Sequence, residues 1–334
     1  MAAATAEAEM IKQAVILACR APSLHNSQPW RWVAGPGELQ LFLNPKRVLE
    51  YDQSQREALI SCGAALDHLR VAMTAAGCNT QISRLPDPED PNHLASLEFS
   101  SRDHVTEDDR RRADAILLRR TDRLPFDTPT DWDAFEPALH NVVDADAVRL
   151  DVFSDDLRPQ LAEASQIATS LRLCDSAYYT EIGWWTGQFR MSDGISDTSL
   201  VSAAEGDRVD VGRDFPVAHG GERRIDIPED HAKIVLLSSD TDSRADALAS
   251  GEALSAVLLE CTMAGLATCT LTHITEVRAT RQLVTALLGY DSQPQVLIRV
   301  GVAPVVEALP PVTPRRPLAD VFRVNTDGAP DARS

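Results

Sequence analysis

Gly63-Ala64-Ala65-Leu66-Asp67-His68-Leu69-Arg70-Val71-Ala72-Met73-Thr74-Ala75-Ala76-Gly77-Cys78-Asn79-Thr80 has a counterpart 188 residues later. That counterpart is Gly251-Glu252-Ala253-Leu254-Ser255-Ala256-Val257-Leu258-Leu259-Glu260-Cys261-Thr262-Met263-Ala264-Gly265-Leu266-Ala267-Thr268, and seven of the eighteen positions are identical. Two unrelated alanine-rich helices would share roughly one or two. Each copy reads as a core helix, a terminal glycine and a strand. The excess of matches favours duplication over two independent amphipathic helices. A duplicated chain is a symmetric dimer made internally, whose halves are free to diverge. The expected halves are 1–110 and 111–334, with long core helices packed across a pseudo-twofold axis.

The rest of the chain alternates helix and strand signals. Met10, Ile11, Ala14, Val15, Leu17 and Ala18 form a helical stripe. Residues 30–33 and 39–43 read as strands around Gly35-Pro36-Gly37. Residues 78–83 and 94–99 read as strands around a Pro/Asp loop. Thr106 opens a helix that ends in Arg119-Arg120. The stretch with Pro125, Pro129 and Pro137 reads as broken, 150–153 as a strand, and 154–190 as a long helical region. From 191 to 228 the periodicity fails over 38 residues rich in Asp, Gly and Ser. So long an irregular span inside a domain is a functional loop or a disordered one. Beyond it, 234–237 is a strand, 246–264 a helix, 268–272 a strand, 275–288 a helix and 295–302 a strand. The Pro-rich tail reads as extended.

Between the first helix and first strand lies Ala21-Pro22-Ser23-Leu24-His25-Asn26-Ser27-Gln28-Pro29-Trp30. Two prolines fix its shape, and its short polar arms suit a flat polar ring better than a metal. Two arginine clusters stand out in an acidic chain: Arg119-Arg120-Thr121-Asp122-Arg123 and Arg315-Arg316. Guanidinium forks match phosphate oxygens. Surface ion pairing is the competing reading, and Arg110-Arg111-Arg112 reads as a solvated helix face.

The pattern A-P-S-x-x-N-x-Q-P-W resembles the flavin-edge loop of the nitroreductase family. R-R-[ST]-x-R resembles its flavin-phosphate motif, and P-R-R-P-L-x-x-V its C-terminal segment. The order after Gly265 also follows the family, and the whole chain resembles its duplicated, Acg-like actinobacterial subgroup. The resemblance implies an α+β, tandem nitroreductase-like fold with antiparallel-rich sheets that mimics the family homodimer. It implies FMN held by Pro22, Ser23 and Asn26 from one half, and by Arg119, Arg120, Thr121, Arg123, Arg315 and Arg316 from the other. Each half lacks the other's motif, so one FMN per chain is expected. Thr272 and His273 stand where many members carry Glu-Gly near flavin N5, leaving backbone N–H groups to serve there. The resemblance implies an oxidoreductase that passes hydride from NAD(P)H through FMN to a nitroaromatic or quinone. The alternative is an FMN-sequestering stress protein, with 191–228 as a lid over the ring. Trp184 and Trp185 are candidates to stack near the flavin. His25 is assigned no catalytic role.

Composition narrows the partners. The net charge is −18 and 44% of residues are hydrophobic. That acidity disfavours nucleic acid and anionic membrane, and leaves a small-molecule electron acceptor. No apolar run reaches the roughly 20 residues of a membrane span, and the N-terminus does not read as a secretory signal. The six cysteines lack C-x-x-C spacing and read as reduced core thiols of a cytoplasmic protein. No histidine spacing suits a metal. No Ser/His/Asp or Cys/His constellation is evident, so no side chain is assigned as catalytic. A monomer is expected, because the fusion replaces dimerisation.

Overall fold

The computed structural model describes residues 2–173, 175–187, 192–215, 222–304 and 312–325, with side chains from residue 7 onward. Helix α1 (Ala2–Ala18) precedes a hairpin of β1 (Trp30–Gly35) and β2 (Glu38–Leu43). Helix α2 (Arg56–Ala75), β3 (Cys78–Arg84) and β4 (His93–Ser101) follow. Helices α3 (Glu107–Leu118) and α4 (Trp132–Val142) lead to β5 (Arg149–Phe153). Helices α5 (Arg158–Arg172), α6 (Ser176–Trp185) and α7 (Ala203–Gly206) precede β6 (Lys233–Ser239). Next come α8 (Arg244–Met263), β7 (Ala267–Leu271), α9 (His273–Glu276), α10 (Arg278–Leu288) and β8 (Gln293–Gly301). Helix α11 (Leu318–Val321) and β9 (Phe322–Val324) close the described chain.

The two sheets run β3-β4-β2-β1-β9 and β7-β8-β6-β5. Apart from β9 the two are one topology written twice, with α2 matching α8. Every shared pairing is antiparallel. Even a register irregularity recurs on the matching strand pair, at Leu41/Phe42 and at Leu237/Ser238. The α+β tandem architecture is therefore present in the strand order itself. Strand β9, from the far end of the chain, pairs parallel with β1 and extends the first sheet.

The repeat that opens the analysis lies at the crossing of α2 and α8. A Cβ on Gly63 would stand 2.0 Å from the Leu248 carbonyl oxygen, and one on Gly251 would stand 2.0 Å from that of Ile60. The offset between Ile60 and Leu248 is again 188, so the two contacts are pseudo-symmetric images. On the same axis Ser255 Oγ donates to Asp67 Oδ2 at 2.6 Å. These two residues are also repeat equivalents, so the fusion has let one buried pair become unlike. Each helix ends at a left-handed glycine, Gly77 with φ 84° and Gly265 with φ 76°, which turns the chain into β3 or β7.

The sheets differ in what covers them. In β2 buried and half-buried residues alternate, the mark of a sheet with one covered face. Strands β6 and β8 are buried almost throughout, because α8 packs on one face, while α9 and α10 pack on the sheet and α5 joins Ile234, Leu236 and Leu297 through Leu161 and Ala164. Among the described residues no helix is long and apolar enough to cross a membrane.

Some local expectations change. The stretch read as broken contains α4, which tolerates Pro137 inside it. The long helical region divides into α5 and α6, capped anew by Asp175, whose side chain accepts the Tyr178 N–H. The helix expected over 275–288 is two, broken at Val277. The tail is not wholly extended, since it carries α11. The irregular span falls in the connection between β5 and β6, where the first half has only Pro36 and Gly37 between its strands. Its described parts include α7 and a short 3-10 turn. Met191 and residues 216–221 lie outside the described residues, as does Cys174. Cys19, Cys62, Cys261 and Cys269 are buried free thiols, and Cys78 is half-buried.

Candidate functional site

The loop of residues 21–30 is held in an unusual backbone. His25, Asn26 and Gln28 have φ of 51°, 59° and 52°. Asparagine tolerates this region, but histidine and glutamine occupy it at a cost of order 1 kcal/mol each. Three contacts hold the shape. The Gln28 N–H donates to Ser23 Oγ at 3.0 Å, the Leu24 N–H donates to Ser61 Oγ on α2 at 3.2 Å, and His25 Nε2 meets the Tyr51 hydroxyl at 2.6 Å. His25 is thus buried, with its pKa pushed well down by burial and by Arg213 and Arg123.

This loop separates two chambers. The larger, about 380 Å³, lies over α2 at Glu57, Ile60 and Ser61 and over β7 at Cys269, Thr270 and Leu271. Its far wall is the segment from Val201 to Phe215. The smaller, about 70 Å³, is ringed by Arg20, Arg119, Arg120, Arg123 and Arg315. Pro22, Ser23, His25, Thr121 and Arg123 line both, so the chambers adjoin.

The arginines come from three elements. Arg119 to Arg123 leave α3 and run beside β7, where Thr121 bridges to Thr268 and the Asp122 N–H donates to the Thr268 carbonyl at 2.9 Å. Arg20 follows α1. Arg315 reaches back from the tail to the end of α1, where it donates to the carbonyls of Cys19 (2.8 Å), Arg20 (3.0 Å) and Ala21 (3.3 Å). It thereby satisfies the carbonyls of the turn that follows α1. Among the described residues none of the five forms an ion pair. Burial, then Arg120 and Arg20, push Arg119 down to about 10. Burial and neighbouring arginines also lower Arg315 well below its usual range. Arg119 Nε and Arg120 Nε are buried without a partner, as is Asn26 Oδ1. Buried, mutually repelling cations with orphaned donors are what an anion satisfies.

The expected site residues divide. Pro22, Ser23, Asn26, Arg119, Arg120, Thr121, Arg123 and Arg315 converge on the smaller chamber, and Thr272 lines the larger. His273 stands outside both chamber walls, with Nε2 at 2.8 Å from Ser165 Oγ. Arg316 also stands outside. Its N–H donates to Gln28 Oε1 at 2.9 Å and its guanidinium to the Asp320 carbonyl at 3.0 Å. Neither Trp184 nor Trp185 lines a chamber. Trp185 packs under the Arg47 guanidinium and Trp184 is 58% exposed.

Sequence reasoning missed Arg20, Glu57, Arg213 and Phe215. Phe215 sits between the loop and the arginines, 5.7 Å from the His25 ring and 5.0 Å from the Arg123 guanidinium. Arg213 pairs with buried Glu276 and donates to the Tyr178 hydroxyl at 2.7 Å. Residues 192–199 are tied to the loop by Gln28 Nε2 to the Ser192 carbonyl (3.0 Å) and Asn26 Nδ2 to the Gly194 carbonyl (3.0 Å), and to the arginine segment by Arg123 to the Ser199 carbonyl (3.1 Å). None of the four belongs to a motif, and Glu57 is one of several charged residues on α2.

No family model matches the chain. Relatives among known proteins do. The protein named "Putative NAD(P)H nitroreductase acg" of Mycobacterium tuberculosis is 59% identical over 317 residues, 95% of this chain and 96% of the relative. An uncharacterized protein of the same bacterium is 53% identical, covering 94% and 93%. A further protein of that bacterium, named "Putative NAD(P)H nitroreductase Rv3131", is 35% identical, covering 94% and 91%. Among solved structures, the FMN-dependent nitroreductase NfnB of Mycobacterium smegmatis, in complex with NADPH, aligns at TM-score 0.41 and 18% identity, covering 64% of this chain and 97% of that one. With 59% identity carried along nearly its whole length, the chain belongs to the NAD(P)H nitroreductase family.

Proposed function

We propose that the joined chambers bind one FMN per chain, with the phosphate among the arginines and the ring in the larger chamber. The protein then acts as an NAD(P)H-dependent oxidoreductase on a small nitroaromatic or quinone-type acceptor. The carrying observation is the pairing of a ring-sized cavity with an adjoining pocket of five arginines that form no ion pair among the described residues. The names of the relatives support the reaction class. When bound, FMN supplies the hydride and electron transfer. The chain's own residues orient and enclose it. Arg119, Arg120 and Arg123 neutralise the phosphate, the 21–30 loop sets the ring's edge, and Ile60 and Leu254 give an apolar wall.

In this reading 1–110 and 111–334 are the two halves of an intramolecular pseudo-dimer acting as a cytoplasmic monomer, and 191–228 is a lid. A second reading, FMN sequestration, is favoured by the bonds that hold residues 192–199 to the loop and to Arg123. Anaerobic NADPH added to the FMN-loaded protein separates the two: rapid bleaching means an enzyme, none means storage.

Titration of apo-protein with FMN is expected to saturate at one per chain, and two would sink the divided site. Arg120→Ala and Arg123→Ala are each expected to weaken FMN by about 1.5–3 kcal/mol, roughly 10- to 150-fold. Riboflavin, which lacks the phosphate, changes little, and so does FMN binding to Arg316→Ala. Equal losses for FMN and riboflavin would remove the arginines from the phosphate site.

A further inference from the structure

We propose that the smaller chamber is a diphosphate site, taking a second phosphoryl group beside the one that FMN would place there, an inference that rests on the flavin reading above. Thr121 and Arg123 line both chambers, whereas Arg20, Arg119, Arg120 and Arg315 line the smaller one alone. A phosphate ester entering from the larger chamber therefore meets Thr121 and Arg123 first. Arg119 is the most buried of the five arginines, at 6% exposed, and Arg20 and Arg120 are half-buried. A monoester phosphate carries about two negative charges at neutral pH and three terminal oxygens. The pocket brings five guanidinium groups to it. A second phosphoryl group matches the charge and the donors that the first does not reach.

The donors point the same way. Arg315 supplies charge but no open arm, because its N–H groups already meet the carbonyls of Cys19, Arg20, Ala21, Thr313 and Pro314. Among the described residues Arg20 donates once, from Nη1 to the Thr313 carbonyl at 2.9 Å, and Arg123 once, to the Ser199 carbonyl. Arg119 Nε and Arg120 Nε are buried without a partner. A guanidinium carries five N–H donors, so most of those on Arg20, Arg119 and Arg123 stand open to a ligand. The carboxylates next to the lining residues in sequence are engaged elsewhere: Asp122 pairs with Arg224 at 2.5 Å, and Asp193 with Arg47 at 2.7 Å. Burial and then Arg120 lower Arg20 below its usual range, as expected for two cations held close with no anion between them. In a chain of net charge −18, this cationic field is local to the pocket.

A diphosphate and the FMN phosphate use the same arginines, so they exclude one another. Riboflavin, which needs only the larger chamber, does not compete. Each charge-assisted hydrogen bond that the second phosphoryl group gains strengthens binding by about 10-fold or more. Arg20 is the residue assigned to that group. It belongs to the smaller chamber alone and, unlike Arg315, has donors to give. Flavin occupancy is then set by the level of diphosphate as well as by that of FMN.

The test is competition against FMN at constant pH and ionic strength, with inorganic phosphate, inorganic pyrophosphate and ADP as probes. Pyrophosphate is expected to displace FMN at a concentration about 10-fold or more below that needed of phosphate, and to leave bound riboflavin in place. Arg20→Ala is expected to weaken pyrophosphate more than phosphate, so that the two anions become nearly equal. ADP as effective as pyrophosphate supports the site and makes a nucleotide its source of diphosphate. ADP far weaker than pyrophosphate supports it with the free anion as source. Equal displacement by phosphate and pyrophosphate, or displacement of riboflavin along with FMN, overturns the proposal. So does an Arg20→Ala protein that keeps the wild-type preference. If that variant fails to fold, the wild-type ratio of pyrophosphate to phosphate decides alone. Calorimetry keeps the two readings apart. Protein that takes up pyrophosphate but no FMN overturns the flavin reading, whereas FMN uptake without a preference for pyrophosphate overturns this one.

Discussion

Gly63→Ala and Gly251→Ala are each expected to cost about 3 kcal/mol or more of folding stability, and by similar amounts. In an ordinary helix interior, glycine to alanine gains about 1 kcal/mol. Here the new methyl group would meet a carbonyl oxygen of the opposing helix at 2.0 Å, and that oxygen is fixed in its own backbone hydrogen bond. Relief requires α2 and α8 to separate. Separation opens the packing of a core that both helices share, including Leu59, Leu66, Leu254 and Leu258, so overpacking at this crossing falls at the upper end of its usual range. The same movement would displace Ile60 and Leu254, which wall the larger chamber, so FMN affinity should fall with stability. Urea unfolding of the two variants gives the check. A midpoint at or above that of wild type in either one would show that the crossing tolerates a side chain.

Asp230→Ala should be comparably damaging, by about 3–5 kcal/mol. Asp230 is buried between Arg158, at 2.6 Å, and Arg299, at 3.0 Å from Nε. It also accepts the Phe126 N–H at 2.8 Å. Arg299 is 1% exposed, and its removal from Asp230 leaves a buried cation without a counter-charge. The effect reaches the site, because Arg299 also donates to the Leu124 carbonyl at 3.0 Å. Asp230 thus anchors the Leu124–Phe126 end of the segment that carries Arg119 to Arg123. The acid limb of stability carries its signature. Burial pushes Asp230 up, but Arg299, the Phe126 N–H and Arg158 outweigh it and hold the group below its usual value. A carboxyl lowered on folding stabilises above its unfolded pKa, about 3.9, and that stability is lost as pH falls through the folded value. Wild type should therefore lose stability below about pH 4 more steeply than Asp230→Ala. Parallel acid limbs would mean that Asp230 is not ionised in the folded protein.

The chain shows both what sequence reading captures and where it stops. The α2 and α8 stripes, their terminal glycines, the capping residue Thr106 and the loop at 21–30 are local features, set by side-chain period and backbone preference within a few residues. Helix α4 was hidden because Pro137 breaks a propensity that tertiary packing overrides: Trp132 and Leu139 are buried in the main core. Strand β9 was hidden because three residues gain their pairing only from β1, nearly 290 positions away. The motif R-R-T-D-R was legible, but its fifth partner, Arg20, belongs to no motif.

The order of residues alone determined that the protein is a duplicated α+β chain with a polar loop and two arginine clusters, because repeats, periods and charges are properties of neighbours in sequence. Tertiary structure alone decided which of those residues meet. In the non-helical tail, adjacent side chains point different ways, so Arg315 enters the smaller chamber while Arg316 faces Gln28 and Asp320. The pairing of Asp67 with Ser255, the burial of Glu57 on the wall of the larger chamber and the placing of Phe215 on that wall beside His25 depend on elements 33 to 190 residues apart. Their separation is fixed by how closely two glycines let α2 and α8 approach.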